Sequence, residues 1–213
     1  MTRLAEVEAQ GTRVLSDVGR TKYMSKKIPT INEIVAVKDD IFDLLYRESD
    51  RGCILVSASV LDDALAAVIK HSIINKPLLT KKKTQELFNY TGAIGTFSSK
   101  IAVSYLLGLI PDWIYQNLEI IRGIRNDFAH GYDLKDFNNP ELCERIKSFD
   151  CPGFDVESMT EPYRQKGNML DEKGNIIPES RTVFICHVIN LFGTFTTLNE
   201  KIIANNRAID AHD

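Results

Sequence analysis

The sequence predicts an all-α fold: an antiparallel bundle of about six to seven helices, with a long irregular loop before the last helix. Apolar residues recur at helical spacing along most of the chain. Residues that start and stop helices bound these stretches, and no stretch has a convincing strand pattern. The 213 residues, 44% of them hydrophobic, are enough for one domain with a substantial core.

The chain begins with a polar, mildly basic stretch at residues 1–27, where we expect an N-terminal arm or a frayed helix. A single helical domain is expected over residues 28–213. Its first helix is predicted from Ile31 to Tyr46 by apolar residues at helical spacing. Asp50 is expected to cap a second, strongly apolar helix from Arg51 to Asn75, at the centre of the core.

Two short helices are predicted next. The first runs from Lys81 to about Leu87, and its leading lysines are read as a solvated face that could also guide an RNA backbone. The second runs from about Ser99 to Leu107. Thr96 or Ser98 is expected to cap it, and Gly108 to close it.

The helix that carries the functional signal is predicted from Pro111 to His130, because proline and aspartate favour a helix start. Another helix is predicted from Pro140 to Ser148. Residues 151–180 are rich in proline and glycine and predict a surface loop, with a small hairpin turning at 172–175. The last apolar helix is predicted from Thr182 to Ala204.

Composition and charge limit the function classes. A net charge of -3 and an isoelectric point near 5.9 argue against a dedicated nucleic-acid coat. The cysteines form no C-x-x-C pair, and Cys53 and Cys186 lie in apolar patterns, which indicates buried thiols in a reducing compartment. With no secretory signal in residues 1–20 and no apolar run near the roughly 20 residues of a span, we expect a cytoplasmic protein without membrane contact. Neither a metal nor a cofactor is expected.

The helix from Pro111 to His130 has two contrasting faces. On a wheel of about 100° per residue, its large apolar side chains fall within an arc of roughly 120°. The opposite side carries Glu119, Arg122, Arg125, Asn126 and His130. Arg122, Asn126 and His130 are spaced by four residues and form one stripe, and Arg125 lies beside it. We therefore expect the apolar face to anchor the helix and the other face to display its polar groups.

These polar side chains suit phosphate chemistry. A guanidinium is a rigid fork of donors for phosphate oxygens, and histidine exchanges protons near its ordinary pKa of about 6.5. In a metal-free cleavage of RNA, His130 would help to activate the 2′-hydroxyl and Arg125 would stabilise the pentavalent phosphate. Asn126 could orient a ribose or phosphate oxygen.

Arg122 and Lys100 are the further candidates for contact with phosphate or RNA. Lys100 ends a glycine-containing segment, but no lysine directly follows its second glycine, as a phosphate-binding loop requires. A turn followed by a helix cap is therefore the simpler interpretation. Asp62 and Asp63 point about 100° apart on a helix and indicate a solvated or salt-bridged face. A structural alternative stays open for the polar face too, since cations and Gly131 are favourable at a helix end.

Several short segments occur in an order that resembles the mannitol operon repressor family. They are Arg51-Gly52, Ser57 to Asp63, Gly95 to Ile101, Tyr105 to Ile110 and Ile124 to His130. The resemblance covers about residues 39–150, with a weaker likeness in the final helix. It implies a negative regulator of sugar-operon expression. Because the sequence shows no basic recognition helix, we expect action through a regulatory protein partner rather than direct DNA binding.

The segment from Arg125 to His130 also resembles the R-x4-6-H signature of the HEPN superfamily. That resemblance implies a helical bundle, often dimeric, among whose members many are metal-independent endoribonucleases. Arg125 and His130 would be the catalytic pair and Asn126 the accompanying polar residue. Two copies of the motif would meet at a homodimer cleft. The sequence thus leaves two functions open: a regulator with a protein partner, or a ribonuclease of a toxin or defence type that cleaves RNA.

Overall fold

A computed structural model gives the fold. The structure describes residues 41–73, 80–131, 136–153, 155, 157–158, 160–161 and 178–210. Residues 207–210 are described by their backbone alone. All the described residues belong to one compact unit, residues 31–213. The arm predicted at 1–27, the start of the helix predicted from Ile31 and the hairpin predicted at 172–175 lie outside the described residues.

The described part of the chain is helical and contains no strand. Residues 41–47 form a helical segment, and longer elements follow in chain order. They are α1 (Asp50–Ser72), α2 (Lys81–Phe88), α3 (Phe97–Leu106), α4 (Asp112–His130), α5 (Pro140–Lys147) and α6 (Glu179–Asp210). The all-α helical bundle predicted from the sequence is confirmed.

Helix α1 lies at the centre of the bundle and packs against α3, α4 and α6. Its apolar residues recur every three or four positions, and Ile54, Leu61 and Leu65 are fully buried. Phe184 and Phe195 of α6 are buried in the same core. Since burial of one large apolar side chain contributes about 1.5–3 kcal/mol, core packing is the main force that holds α4 in place.

The start of α1 differs from the prediction. Ser49, not Asp50, caps the helix, because its hydroxyl accepts a hydrogen bond from the N–H of Gly52 at 3.0 Å. The carboxylate of Asp50 instead accepts from Nη1 of Arg181 at 2.9 Å and from the N–H of Phe137 at 3.2 Å. Serine and aspartate are both good capping residues, and the distant partners of Asp50 decide between them.

Other helix ends follow the sequence more closely. Of the two caps predicted for α3, Thr96 is the one used, in a reciprocal capping box with Ser99. Gly108 has a φ of +67° and reverses the chain after α3. Helix α6 begins earlier and ends later than the predicted Thr182 to Ala204, because its polar ends lack the apolar periodicity on which the prediction depends.

Within the described residues, two helices are long and apolar enough to cross a membrane by length and composition alone, contrary to the expectation from the sequence. They are Asp50–Ser72 and Glu179–Asn206, whose most apolar windows are 50% and 61% buried inside the protein. Core helices of soluble proteins have the same length and composition, so these helices are weak evidence for a membrane span.

Candidate functional site

The polar face predicted on α4 lies at the protein surface. Arg125 and His130 are exposed and Asn126 is partly exposed, whereas Phe128 between them is buried. The buried residues of α4 are Ile114, Asn117, Leu118, Ile121, Ile124 and Phe128. Packing of that side fixes the helix and leaves a guanidinium and an imidazole open to solvent.

Helix geometry separates Arg125 from His130 within one chain. Five residues at about 100° each place the two side chains roughly 140° apart around the helix axis. The Arg125 guanidinium turns toward its neighbour and donates from Nη1 to Oδ1 of Asn126 at 3.0 Å. The two side chains therefore leave α4 in different directions.

The end of α4 is shaped by a close backbone approach. The N–H of Gly131 donates to the carbonyl of Asp127 at 2.8 Å, and a Cβ on Gly131 would lie 2.6 Å from that oxygen. With a φ of -77°, Gly131 is needed for space rather than for a left-handed conformation. Nη2 of Arg51 on α1 donates to the carbonyl of Ala129 at 3.2 Å. Arg51 thus adds a cation at the end of the motif, and its only signal in the sequence was the Arg51-Gly52 segment.

The two further phosphate candidates form ion pairs. Nη2 of Arg122 lies 2.6 Å from Oε2 of Glu119, and this hydrogen bonding raises the pKa of Arg122. Lys100 is 6% exposed, and its Nζ lies 2.8 Å from both carboxylate oxygens of Asp62. The Lys100 charge is therefore neutralised inside the bundle, while the Arg122 side chain stays 32% exposed.

A second polar cluster lies where α4, α6 and the segment after α5 meet. The fully buried Asn117 donates from Nδ2 to the carbonyl of Asp150 at 2.7 Å and accepts from the N–H of Asp150 at 3.1 Å. Sγ of Cys151 lies 3.3 Å from Nδ1 of His187. Burial lowers the pKa of His187 from 6.5 to about 4 and raises the pKa of Cys151. The thiol and the imidazole are therefore both neutral at pH 7, and Asn117 clamps the start of the segment that follows α5.

The cysteines lie as the sequence predicts. All four cysteines are free thiols, and Cys53 and Cys186 are buried as predicted. Burial raises the pKa of Cys53 to about 12. Among the described residues, no group of three or more His, Cys, Asp or Glu side chains is placed to hold a metal ion.

Known proteins share both the sequence pattern and the fold. The mannitol repressor family matches residues 37–172, which is more than half of the chain. No curated protein sequence matches it. The X-ray structure of the MtlR-HPr complex from Escherichia coli contains a chain with a similar fold, at a TM-score of 0.57 and 15% sequence identity. The likeness covers 76% of this chain and 99% of that chain, and at this identity it concerns the fold alone. The match over residues 37–172 confirms what the order of the short segments indicated: the chain belongs to the mannitol repressor family.

Proposed function

We propose that this chain is a negative regulator of the mannitol-repressor type that acts by binding a protein partner, and that the partner is HPr. The family match over residues 37–172 carries the regulatory part of the proposal. The partner is inferred from the similar chain solved in complex with HPr. A bundle fixed by a continuous core offers such a partner a preformed surface, which reduces the entropy lost on binding.

Direct recognition of operator DNA is not part of the proposal. A net charge of -3 gives little general attraction for a phosphate backbone. Two of the cations near α4, Lys100 and Arg122, already face carboxylates of the same chain. Regulation would then depend on which protein the chain holds or releases. A band shift of operator DNA by this chain alone, at physiological salt, would contradict that indirect mode.

The regulator would act in the cytoplasm, where its free thiols stay reduced. We also infer a homodimer. Arg125 and His130 diverge within one chain, and a two-fold axis beside α4 would bring Arg125 of one copy toward His130 of the other. Light scattering at micromolar concentration measures this directly: the mass of two chains supports the dimer, and the mass of one chain rejects it.

Binding of HPr is tested by isothermal titration calorimetry with the whole chain and HPr from the same organism. We expect a saturable heat signal and co-elution of the two proteins on size exclusion. His130→Ala should bind HPr as the original chain does, since the regulator needs no catalytic imidazole. No heat and no co-elution with folded protein would reject HPr as the partner.

A metal-independent ribonuclease is the second candidate, and the observation that favours it is the solvent exposure of Arg125, Asn126 and His130. His130 would exchange the proton and Arg125 of a second copy would stabilise the phosphate charge. RNA incubated in EDTA with the chain distinguishes the two functions. Cleavage that disappears in His130→Ala and in Arg125→Ala, but persists in the surface variant Lys147→Ala, supports the enzyme. Intact RNA with folded protein rejects it.

A further inference from the structure

An apolar patch interrupts the polar surface where α3 ends and α4 is about to begin. The side chains of Leu106 and Leu107 are 81% and 57% exposed, and that of Tyr105 is 38% exposed. Single exposed leucines are common and need no explanation. Here three large apolar side chains are exposed within the last turn and cap of one helix, and such a local concentration of exposed apolar surface is typical of interaction sites.

The patch is held in place by its neighbours. The ring of Tyr105 stacks on that of Tyr115 in α4, with 4.4 Å between centroids. Its hydroxyl donates to Oδ1 of Asp112 at 3.0 Å. The N–H of Leu107 donates to the carbonyl of Val103 at 3.0 Å. A surface fixed in this way loses little conformational entropy when a partner covers it.

Charged groups lie beside the patch, along α4. Tyr115, Glu119 and Arg122 follow one another at spacings of four and three residues, so they share one side of the helix. Glu119 is paired with Arg122, so the exposed carboxylate of Asp112 is the charge that gives this side of the patch its excess of acid. An apolar centre with tyrosine and arginine beside it has the composition of protein–protein hot spots. The excess carboxylate favours an occupant that brings cations.

We propose that this Leu106 patch, made of Tyr105, Leu106, Leu107 and Tyr115, is the surface on which HPr docks. Apolar side chains of HPr cover the two leucines, and a lysine or arginine of HPr meets the carboxylate of Asp112. The inference rests on the proposed function, which supplies the partner but not its place on the chain.

Charge distinguishes HPr from a second copy of the chain as the occupant. In a two-fold interface centred on the patch, Asp112 of one copy would approach Asp112 of the other. Like charges in such contact are unfavourable, whereas a different protein can present the opposite charge. Eighteen residues of helix, at about 1.5 Å each, also place Asp112 roughly 27 Å from His130. Partner binding at the patch and any chemistry at the motif are therefore separable.

Calorimetry with HPr tests the surface through Leu106→Asp and Leu107→Asp. We expect each substitution to weaken binding by at least about tenfold, because it buries an unpaired carboxylate next to Asp112. Tyr90→Asp is the matched control: Tyr90 is 87% exposed and precedes α3, at the opposite end from Leu106. Its binding should equal that of the original chain. Thermal unfolding shows that each variant is folded, and Leu106→Ser replaces Leu106→Asp if the acid disrupts folding.

The outcomes separate the surface from the function. If the original chain and all variants bind HPr equally, the docking surface is wrong and the proposed function stands. If the original chain binds no HPr, the proposed function fails and this inference fails with it. If Leu106→Asp converts a dimer to a monomer while HPr binding persists, the patch joins two copies and the proposal is rejected.

Discussion

Nη1 of Arg145 lies 2.6 Å from Oδ2 of Asp127, so the acid in the middle of the polar motif ties α4 to α5. The other terminal nitrogen, Nη2, donates to the carbonyl of Ile120 at 3.4 Å. This nitrogen lies so close to Gly123 that a Cβ added to the glycine would be only 2.6 Å from it. Asp127 and Gly123 therefore serve the packing of α5 against α4, while Arg125 and His130 of the motif stay exposed to solvent.

The contact between Gly123 and Arg145 predicts that the effect of Gly123→Ala depends on Arg145. In an Arg145→Ala background, alanine at 123 should raise the free energy of unfolding by about 0.5–1 kcal/mol, the usual gain over glycine inside a helix. With Arg145 present the gain should shrink, because the new Cβ displaces the guanidinium from Asp127. A double-mutant cycle in urea measures the coupling. Equal gains in both backgrounds would contradict the contact.

Arg181 should be among the residues whose loss costs most stability. It is 5% exposed, donates to Asp50, and also donates to the carbonyls of Leu45 and Tyr46 at 3.0 Å each. Its guanidinium thus connects α6 to the end of the 41–47 segment and to the first turn of α1. Arg181→Met should lower the free energy of unfolding by about 3–5 kcal/mol, because the buried partners are left unpaired.

The control for Arg181→Met is Arg51→Met, which removes an arginine whose hydrogen bond to the carbonyl of Ala129 is exposed to solvent. That substitution should change stability by no more than about 1 kcal/mol. Chemical denaturation of both variants measures the difference. Similar losses of unfolding free energy at the two positions would mean that the contribution of Arg181 to stability does not come from the burial of its hydrogen bonds.

The helices were predictable from the sequence because helical periodicity is a local property. The two faces of α4 followed from spacing alone, and so did the exposure of Arg125 and His130. Asp50 shows where this reasoning ends. An acid next to a helix start looks like a cap, yet its carboxylate binds Arg181, which is 131 residues away in sequence.

Polar residues inside the core were the part that the sequence could not assign. Asn117 lies on the buried side of α4 because its amide matches the backbone of Asp150, 33 residues later. Lys100 was a phosphate candidate by residue type, and it is buried because Asp62 in α1 faces it. Such pairings depend on which helices become neighbours, and one chain's periodicity does not contain that information.

His187 predicts a loss of stability in acid. Burial lowers its pKa in the folded protein from 6.5 to about 4. Between these values the unfolded chain takes up a proton that the folded chain does not, so stability is full above about pH 6.5 and falls as the pH decreases toward 4. The slope should be roughly 1.4 kcal/mol per pH unit, and it should level off below the folded pKa.

Urea denaturation at a series of pH values measures this slope. His187→Phe should flatten it, because phenylalanine keeps a ring beside Phe149 but does not titrate. Ile189→Val, a change at another buried position of α6, should shift the whole curve without altering its slope. A slope in His187→Phe as steep as in the original chain would assign the acid sensitivity to other groups.

For the buried pair of Lys100 and Asp62 we predict a pH effect of the opposite sign: the loss of stability caused by mutation becomes smaller as the pH falls. Lys100→Met should lower the free energy of unfolding near pH 7 by about 3 kcal/mol, because Asp62 is left beside Asp63 without a cation. Burial and the charge of Asp62 raise the pKa of Asp63, and Lys100 lowers it. Removing Lys100 therefore raises the pKa of Asp63 further, and a folded protein that contains an acid with a raised pKa gains stability as the pH falls.

The loss of stability caused by Lys100→Met, measured by urea denaturation, should accordingly shrink toward pH 5. Adding Asp62→Leu should restore most of the lost stability. Lys147→Met, at a lysine 70% exposed, should leave stability unchanged. A penalty that grows in acid would show that Asp62 and Asp63 are not the groups that Lys100 neutralises.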